Sequence, residues 1–133
     1  MPLTKDRNTP MKDGELVSVP VAASSEIFAG SLVVANASGY AAPGSTATGL
    51  TYLGRADEYV NNAAGAAGDA AVLVRRGKAF KWTNSGTDPV TQAELGKTCY
   101  VVDDETVAAS DGTGTRSAAG TVVGVDSDGI WVE

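Results

Sequence analysis

Apolar and polar positions alternate with a period of two along much of this chain, most densely over residues 71–85. Val72 and Val74 face one way and Leu73 and Arg75 the other, as a pleated strand requires. Past Gly77 the alternation resumes, with Phe80 and Trp82 on one face and Ala79 and Lys81 opposite. The pattern predicts a central, half-buried strand of roughly 10 residues, long for a globular protein. Gly77 marks an expected bulge or sharp bend, and Asn84-Ser85-Gly86 a turn that ends the strand. Val72, Val74, Phe80, Trp82 and Trp131 are the expected core.

The same period recurs on either side. Val17, Val19 and Val21 alternate with Ser18 and Pro20, and Pro20 assigns that strand to a sheet edge. Leu32-Val33-Val34-Ala35, the polar turn through Gly39 and Tyr40-Ala41-Ala42-Pro43 predict a hairpin. Residues 50–60 predict one long strand with a bulge at Gly54, and 61–69 a loop of small residues. That loop lacks the lysine and hydroxyl pair of a phosphate-binding loop. Asp88 as cap, Pro89 at the first position and Gly96 as stop predict a helical connector of one or two turns. Strands at 98–102 and 106–109 flank an acidic turn, and 120–132 predict a closing hairpin with a type I′ turn at Asp128-Gly129. The expected fold is all-β, a small sandwich or barrel of about eight to nine short strands. Residues 16–133 form its single domain. Residues 1–15 hold no apolar period and contain Pro2 and Pro10, so they predict an extended N-terminal arm.

Composition narrows this picture. A chain of 133 residues suffices for one domain. No apolar run approaches the roughly 20 residues of a membrane helix, and no membrane partner is expected. The polar start has no apolar segment of a secretory signal. The single cysteine, Cys99, excludes an internal disulfide, and maturation in a cytoplasm is the expectation. A formal net charge of −6 argues against a duplex nucleic-acid partner. The chain has no histidine, which removes the commonest general base and transition-metal ligand. Cys99 therefore reads as a buried, inert thiol. Asp126-Ser127-Asp128-Gly129 lacks the remaining oxygen ligands of a calcium loop. No catalytic residues, metal or cofactor are expected.

Against the acidic background, Arg75, Arg76, Lys78 and Lys81 form a basic rib. A solvated face is its plain explanation, and contact with an acidic partner surface the sharper one. The tyrosines Tyr40, Tyr52, Tyr59 and Tyr100 mostly occupy strand positions, where burial is expected.

The ordered succession of these elements resembles the head decoration, or capsid cement, proteins of tailed bacteriophages. The resemblance rests on residues 17–22 with Ile27-Phe28-Ala29-Gly30-Ser31-Leu32-Val33, on Gly39-Tyr40-Ala41 and on Leu53-Gly54-Arg55-Ala56. It continues through Asn61-Asn62, Gly68-Asp69, Arg76-Gly77-Lys78-Ala79-Phe80, Leu95-Gly96-Lys97 and 100–103. It ends with 119–123 and Asp128-Gly129-Ile130-Trp131-Val132. The resemblance implies a structural virion protein, not an enzyme, made in the host bacterial cytoplasm. It would bind the major capsid protein on the head exterior as a homo-oligomer, with a trimer favoured over a dimer, and stabilise the shell. Lys5, Arg7, Thr9, Pro10 and Lys12 of the arm, with Arg75, Arg76 and Lys78, are the expected partner-binding residues. A tail, baseplate or adhesin-like β-module, binding carbohydrate or another virion protein, is the alternative.

Overall fold

A computed structural model describes residues 1–133 and is all-β, as the periodicity predicts. Twelve strands form: β1 Leu16–Pro20, β2 Ser25–Ile27, β3 Leu32–Ala35, β4 Ala41–Pro43, β5 Thr51–Ala56 and β6 Val60–Asn62. β7 Ala71–Arg75, β8 Phe80–Asn84, β9 Thr98–Val101, β10 Thr106–Ala108, β11 Ala118–Asp126 and β12 Gly129–Val132 complete the set. The first five-stranded sheet runs β1-β7-β5-β3-β4, with β1 at its edge as Pro20 requires. Just past that edge Val21 bridges Ala41, so the sheet curls until its two ends touch. The second unit is a closed barrel, β10-β8-β12-β11-β9, and β2 pairs with β6 as a small ribbon.

More strands form than the eight or nine expected because two long runs break and Ser25–Ile27 forms a short strand of its own. Residues 50–60 divide into β5 and β6 at a bend over 57–58. Residues 71–85 divide into β7 and β8, which lie in different sheets. Gly77, at φ +71°, turns the chain in the left-handed region that glycine enters without penalty, and the bend there is a crossing between sheets. The bulge at Gly54 forms as the sequence indicates. Val33 faces Gly54 while Val34 faces Tyr52, leaving Leu53 unopposed. A Cβ at Gly54 would overlap the Arg75 carbonyl oxygen, so only glycine lets β5 close on β7 there.

Two apolar clusters fill the fold. Phe80, Trp82, Val101, Val107, Val122, Ile130 and Val132 fill the barrel, joined by Leu32 and Val34 from β3. Val72 and Val74 belong to the second cluster, with Val21, Ile27, Val33, Ala41 and Ala56. β3 is thus buried on both faces, which explains its uninterrupted apolar sequence.

Trp131 corrects the expected core: it is 36% exposed, and its indole Nε1 donates to Asp126 Oδ2 at 2.8 Å. Ile130 and Val132 pair with Trp82 and Phe80 in register, so those two aromatics fix which side of β12 faces inward. Trp131 has the opposite parity and stands outside. The closing turn also differs from expectation. Neither Ser127, Asp128 nor Gly129 has a positive φ, which a type I′ turn requires. Gly129 is needed for room, since a Cβ would come within 2.6 Å of Lys81 Cγ and 2.9 Å of the Trp82 carbonyl oxygen. The helical connector shrinks to a 3₁₀ turn, Gln92–Glu94. The Glu94 carboxylate accepts from the Thr91 N–H at 2.7 Å and the Thr91 hydroxyl at 2.5 Å, so Thr91 takes the capping place expected of Asp88. Asp88 instead receives Ser110 and Arg116, pinning the loop before β11.

Candidate functional site

The crossing from β7 to β8 places the basic rib where the two sheets meet. An open cleft of about 400 Å³ lies against it. Arg55 from β5, Arg75 from β7, Lys78 from the crossing and Lys81 from β8 line this cleft, and no carboxylate does. Phe80, Trp82 and Trp131 supply its apolar wall. The Arg55 guanidinium lies over the Phe80 ring at 5.0 Å, and Lys81 Nζ lies 5.7 Å from the Trp131 ring centre. Both arrangements place a cation against a ring's negative face.

On the other side of the crossing is a second hollow of about 210 Å³. Arg76 and Lys78 line it together with Tyr52 and Glu133. Five of the chain's ten basic residues therefore border these adjoining clefts. Three others, Lys5, Arg7 and Lys12, lie in the arm.

Carboxylates hold the cations from outside the first cleft. Asp57 receives Arg55 at 3.0 Å and Arg75 at 3.5 Å. The guanidinia of Arg75 and Arg55 keep the Asp57 carboxyl below the usual carboxylate range. Lys78 pairs with Glu15 at 3.2 Å and Lys81 with Asp128 at 2.9 Å. The Asp128 pairing lowers the carboxyl's pKa and raises that of Lys81. The Arg76 guanidinium makes neither an ion pair nor a hydrogen bond. All four pairs are partly solvent-exposed, so water and salt weaken them and a ligand carboxylate can exchange with them.

The structure does not bring the two groups of expected partner-binding residues into contact; only Glu15, at the root of the arm, reaches the rib. The Glu15 carbonyl accepts the Arg76 N–H at 2.6 Å, so the arm leaves the body beside the clefts. Lys5, Arg7, Thr9, Pro10 and Lys12 are all exposed, as is every residue from 1 to 15. Arg7 Nη1 donates to Thr9 Oγ1 at 2.6 Å, a local contact inside the arm. Sequence reasoning missed Arg55 and its partner Asp57. Their two-residue spacing was visible, but Arg75 joins them only through the β5–β7 pairing.

The remaining candidates have structural settings. Cys99 is fully buried, its Sγ donates to the Gly120 carbonyl at 3.6 Å, and burial pushes the thiol pKa up. In the acidic turn Asp103 Oδ1 accepts the Glu105 N–H at 2.9 Å, which fixes the turn between β9 and β10. The tyrosines are less buried than expected. Tyr59 is 51% exposed, stacks on exposed Phe28 with ring centres 5.5 Å apart, and donates to Glu26. Tyr52 is half-buried against the barrel cluster. Its hydroxyl accepts the Trp82 indole N–H at 3.1 Å, linking sheet to barrel, and burial pushes its pKa up to about 12.

Comparison with protein-family models, curated proteins and solved structures gave no match.

Proposed function

We propose that this chain is a capsid decoration protein: a structural virion component that binds the outside of an icosahedral phage head as an oligomer and stabilises the shell. The observation that carries this reading is the arm. Residues 1–15 form no strand, all are exposed, and every hydrogen bond of residues 1–14 stays within the arm. Such a segment orders only when a partner's contacts offset its conformational entropy, about 1–2 kcal/mol per residue. The sequence resemblance supplies the partner, the major capsid protein. The edge strand β1 offers unpaired backbone groups for a homotrimer, and joining several arms in one oligomer multiplies weak contacts.

Deleting residues 1–12 tests the proposal. The melting temperature of the β body should stay nearly unchanged. Affinity for expanded heads should fall at least about tenfold, the effect of about 1.4 kcal/mol. Added salt should reproduce part of the loss. Unaltered head binding by the truncated chain overturns the proposal that the arm binds the head.

The exposed Phe28–Tyr59 stack favours a second reading, an adhesin-like or tail module that binds carbohydrate. Glycan binding that is lost in Tyr59→Ala would support it.

A further inference from the structure

The five cations at the β7–β8 crossing are incompletely balanced. Asp57 serves both Arg55 and Arg75, Glu15 serves Lys78 and Asp128 serves Lys81, so three carboxylates meet four cations. Arg76 stands alone, and Glu133 borders the same hollow without pairing to it. Five cations therefore meet three carboxylates and Arg76 alone lacks a contacting partner, in a chain whose net charge is −6. The Arg55–Arg75 pair, which shares one carboxylate, and the unpaired Arg76 sit on either side of one short crossing, and Lys78 and Phe80 line both hollows. Exposed Trp131 adds flat apolar surface beside the charges.

We propose that these two adjoining hollows are one docking track for an acidic peptide segment. The segment crosses Lys78, places one carboxylate by the Arg55–Arg75 pair and a second by Arg76, and lays an apolar side chain against Trp131. A carboxylate matches the planar donor fork of arginine and can replace Asp57 or add to it. The chemistry favours a short acidic peptide over a nucleic acid. A polyanion would meet the repulsion of the whole acidic surface, whereas two carboxylates address only the local cations. This inference rests on the proposed virion role in one respect: the segment would belong to the capsid subunit beside the arm's attachment point.

The test uses the full chain and an acetylated, amidated peptide, Asp-Ala-Leu-Ala-Asp, with its Asn-Ala-Leu-Ala-Asn counterpart as control. Binding is followed by the fluorescence of Trp131, with Trp82 buried at the cleft wall as the second emitter. The acidic peptide should bind more tightly than its amide counterpart, with salt weakening the difference. Arg76→Gln should weaken acidic-peptide binding by about threefold or more, within the range of a single exposed ion pair. Because Arg76 has no side-chain partner, that variant should fold normally, which a melting curve checks. Equal binding of both peptides, or an unchanged Arg76→Gln, overturns the proposal. A single-stranded oligonucleotide or a sulfated oligosaccharide that displaces the acidic peptide at equal concentration overturns the assignment to a peptide.

Head binding separates this inference from the virion reading. If wild-type chain and Arg76→Gln bind heads equally and the peptide fails, the docking track is wrong while the virion role stands. If the chain ignores heads yet binds the peptide through Arg76, the track stands and the virion role fails.

Discussion

The two apolar clusters differ in composition and in what they hold together. The barrel cluster brings together twelve buried residues, including both Phe80 and Trp82. The outer cluster of the curled sheet has seven, all aliphatic. β3 ties them together by giving Leu32 and Val34 to the first and Val33 to the second. The large aromatics thus stabilise the barrel, and the sheet is held to it by a doubly buried strand. Between the clusters the chain crosses once at Gly77, and the basic clefts lie at that crossing. The basic clefts thus arise where two packed bodies meet, while each body's interior is given to packing.

The largest effect should come from breaking the barrel side. Trp82→Ala should cost about 3–5 kcal/mol of unfolding free energy, the usual loss for a truncated core aromatic. Trp131→Ala, on the outer side of the neighbouring strand β12, should cost no more than about 1 kcal/mol. Ile27→Ala in the smaller cluster should cost about 2–5 kcal/mol. Because β3 belongs to both clusters, each variant should shift one urea transition without splitting it. Two separate transitions, or equal losses at Trp82 and Trp131, would break the comparison.

A smaller effect should come from the Tyr52–Trp82 link between the bodies. Burial raises the Tyr52 pKa to about 12 from an ordinary value of 10. A raised pKa means the folded state keeps its proton after the unfolded state has lost it. The associated stability is therefore complete below pH about 10 and is lost as pH rises toward 12. Tyr52→Phe should lower stability at neutral pH by about 1 kcal/mol, because the Trp82 indole loses its acceptor. It should also flatten the alkaline loss seen in wild type. Equal slopes above pH about 10 in both proteins would show that Tyr52 does not carry this dependence.

These residues also mark how far the sequence could be read. Short-range features were legible: the edge at Pro20, the hairpin through Gly39, the Gly54 bulge and the alternation of Val72 and Val74. Each is set by local backbone sterics or by the two-residue period. Tertiary choices were not legible. Ile130-Trp131-Val132 is apolar on both faces, so only pairing with Phe80 and Trp82 decides that Trp131 faces out. The parallel pairing of β10 with β8 joins Thr106 to Thr83 and has no local signal at all. The candidate site divides the same way. Arg75, Arg76 and Lys78 were visible as a charge run, whereas Arg55 enters only through the β5–β7 contact.

The smallest effect, and the sharpest test of the crossing as a functional junction, concerns Asp57. Its carboxyl is depressed by Arg75 and Arg55, so its stabilising contribution is present above the unfolded value of about 3.9 and lost as pH falls through the lower folded value. Asp57→Asn should flatten part of the acid-side loss of stability while leaving both apolar clusters untouched. It should also free two arginines at the cleft. If the crossing exists only to pack two bodies, the substitution should register in acid stability alone. If it is a docking track, the same substitution should strengthen acidic-peptide binding at neutral pH by removing the internal competitor. Titration of the Asp-Ala-Leu-Ala-Asp peptide against wild type and Asp57→Asn distinguishes these outcomes. Weaker binding by the variant would show that Asp57 orients the guanidinia, and would break the claim that a ligand carboxylate takes its place.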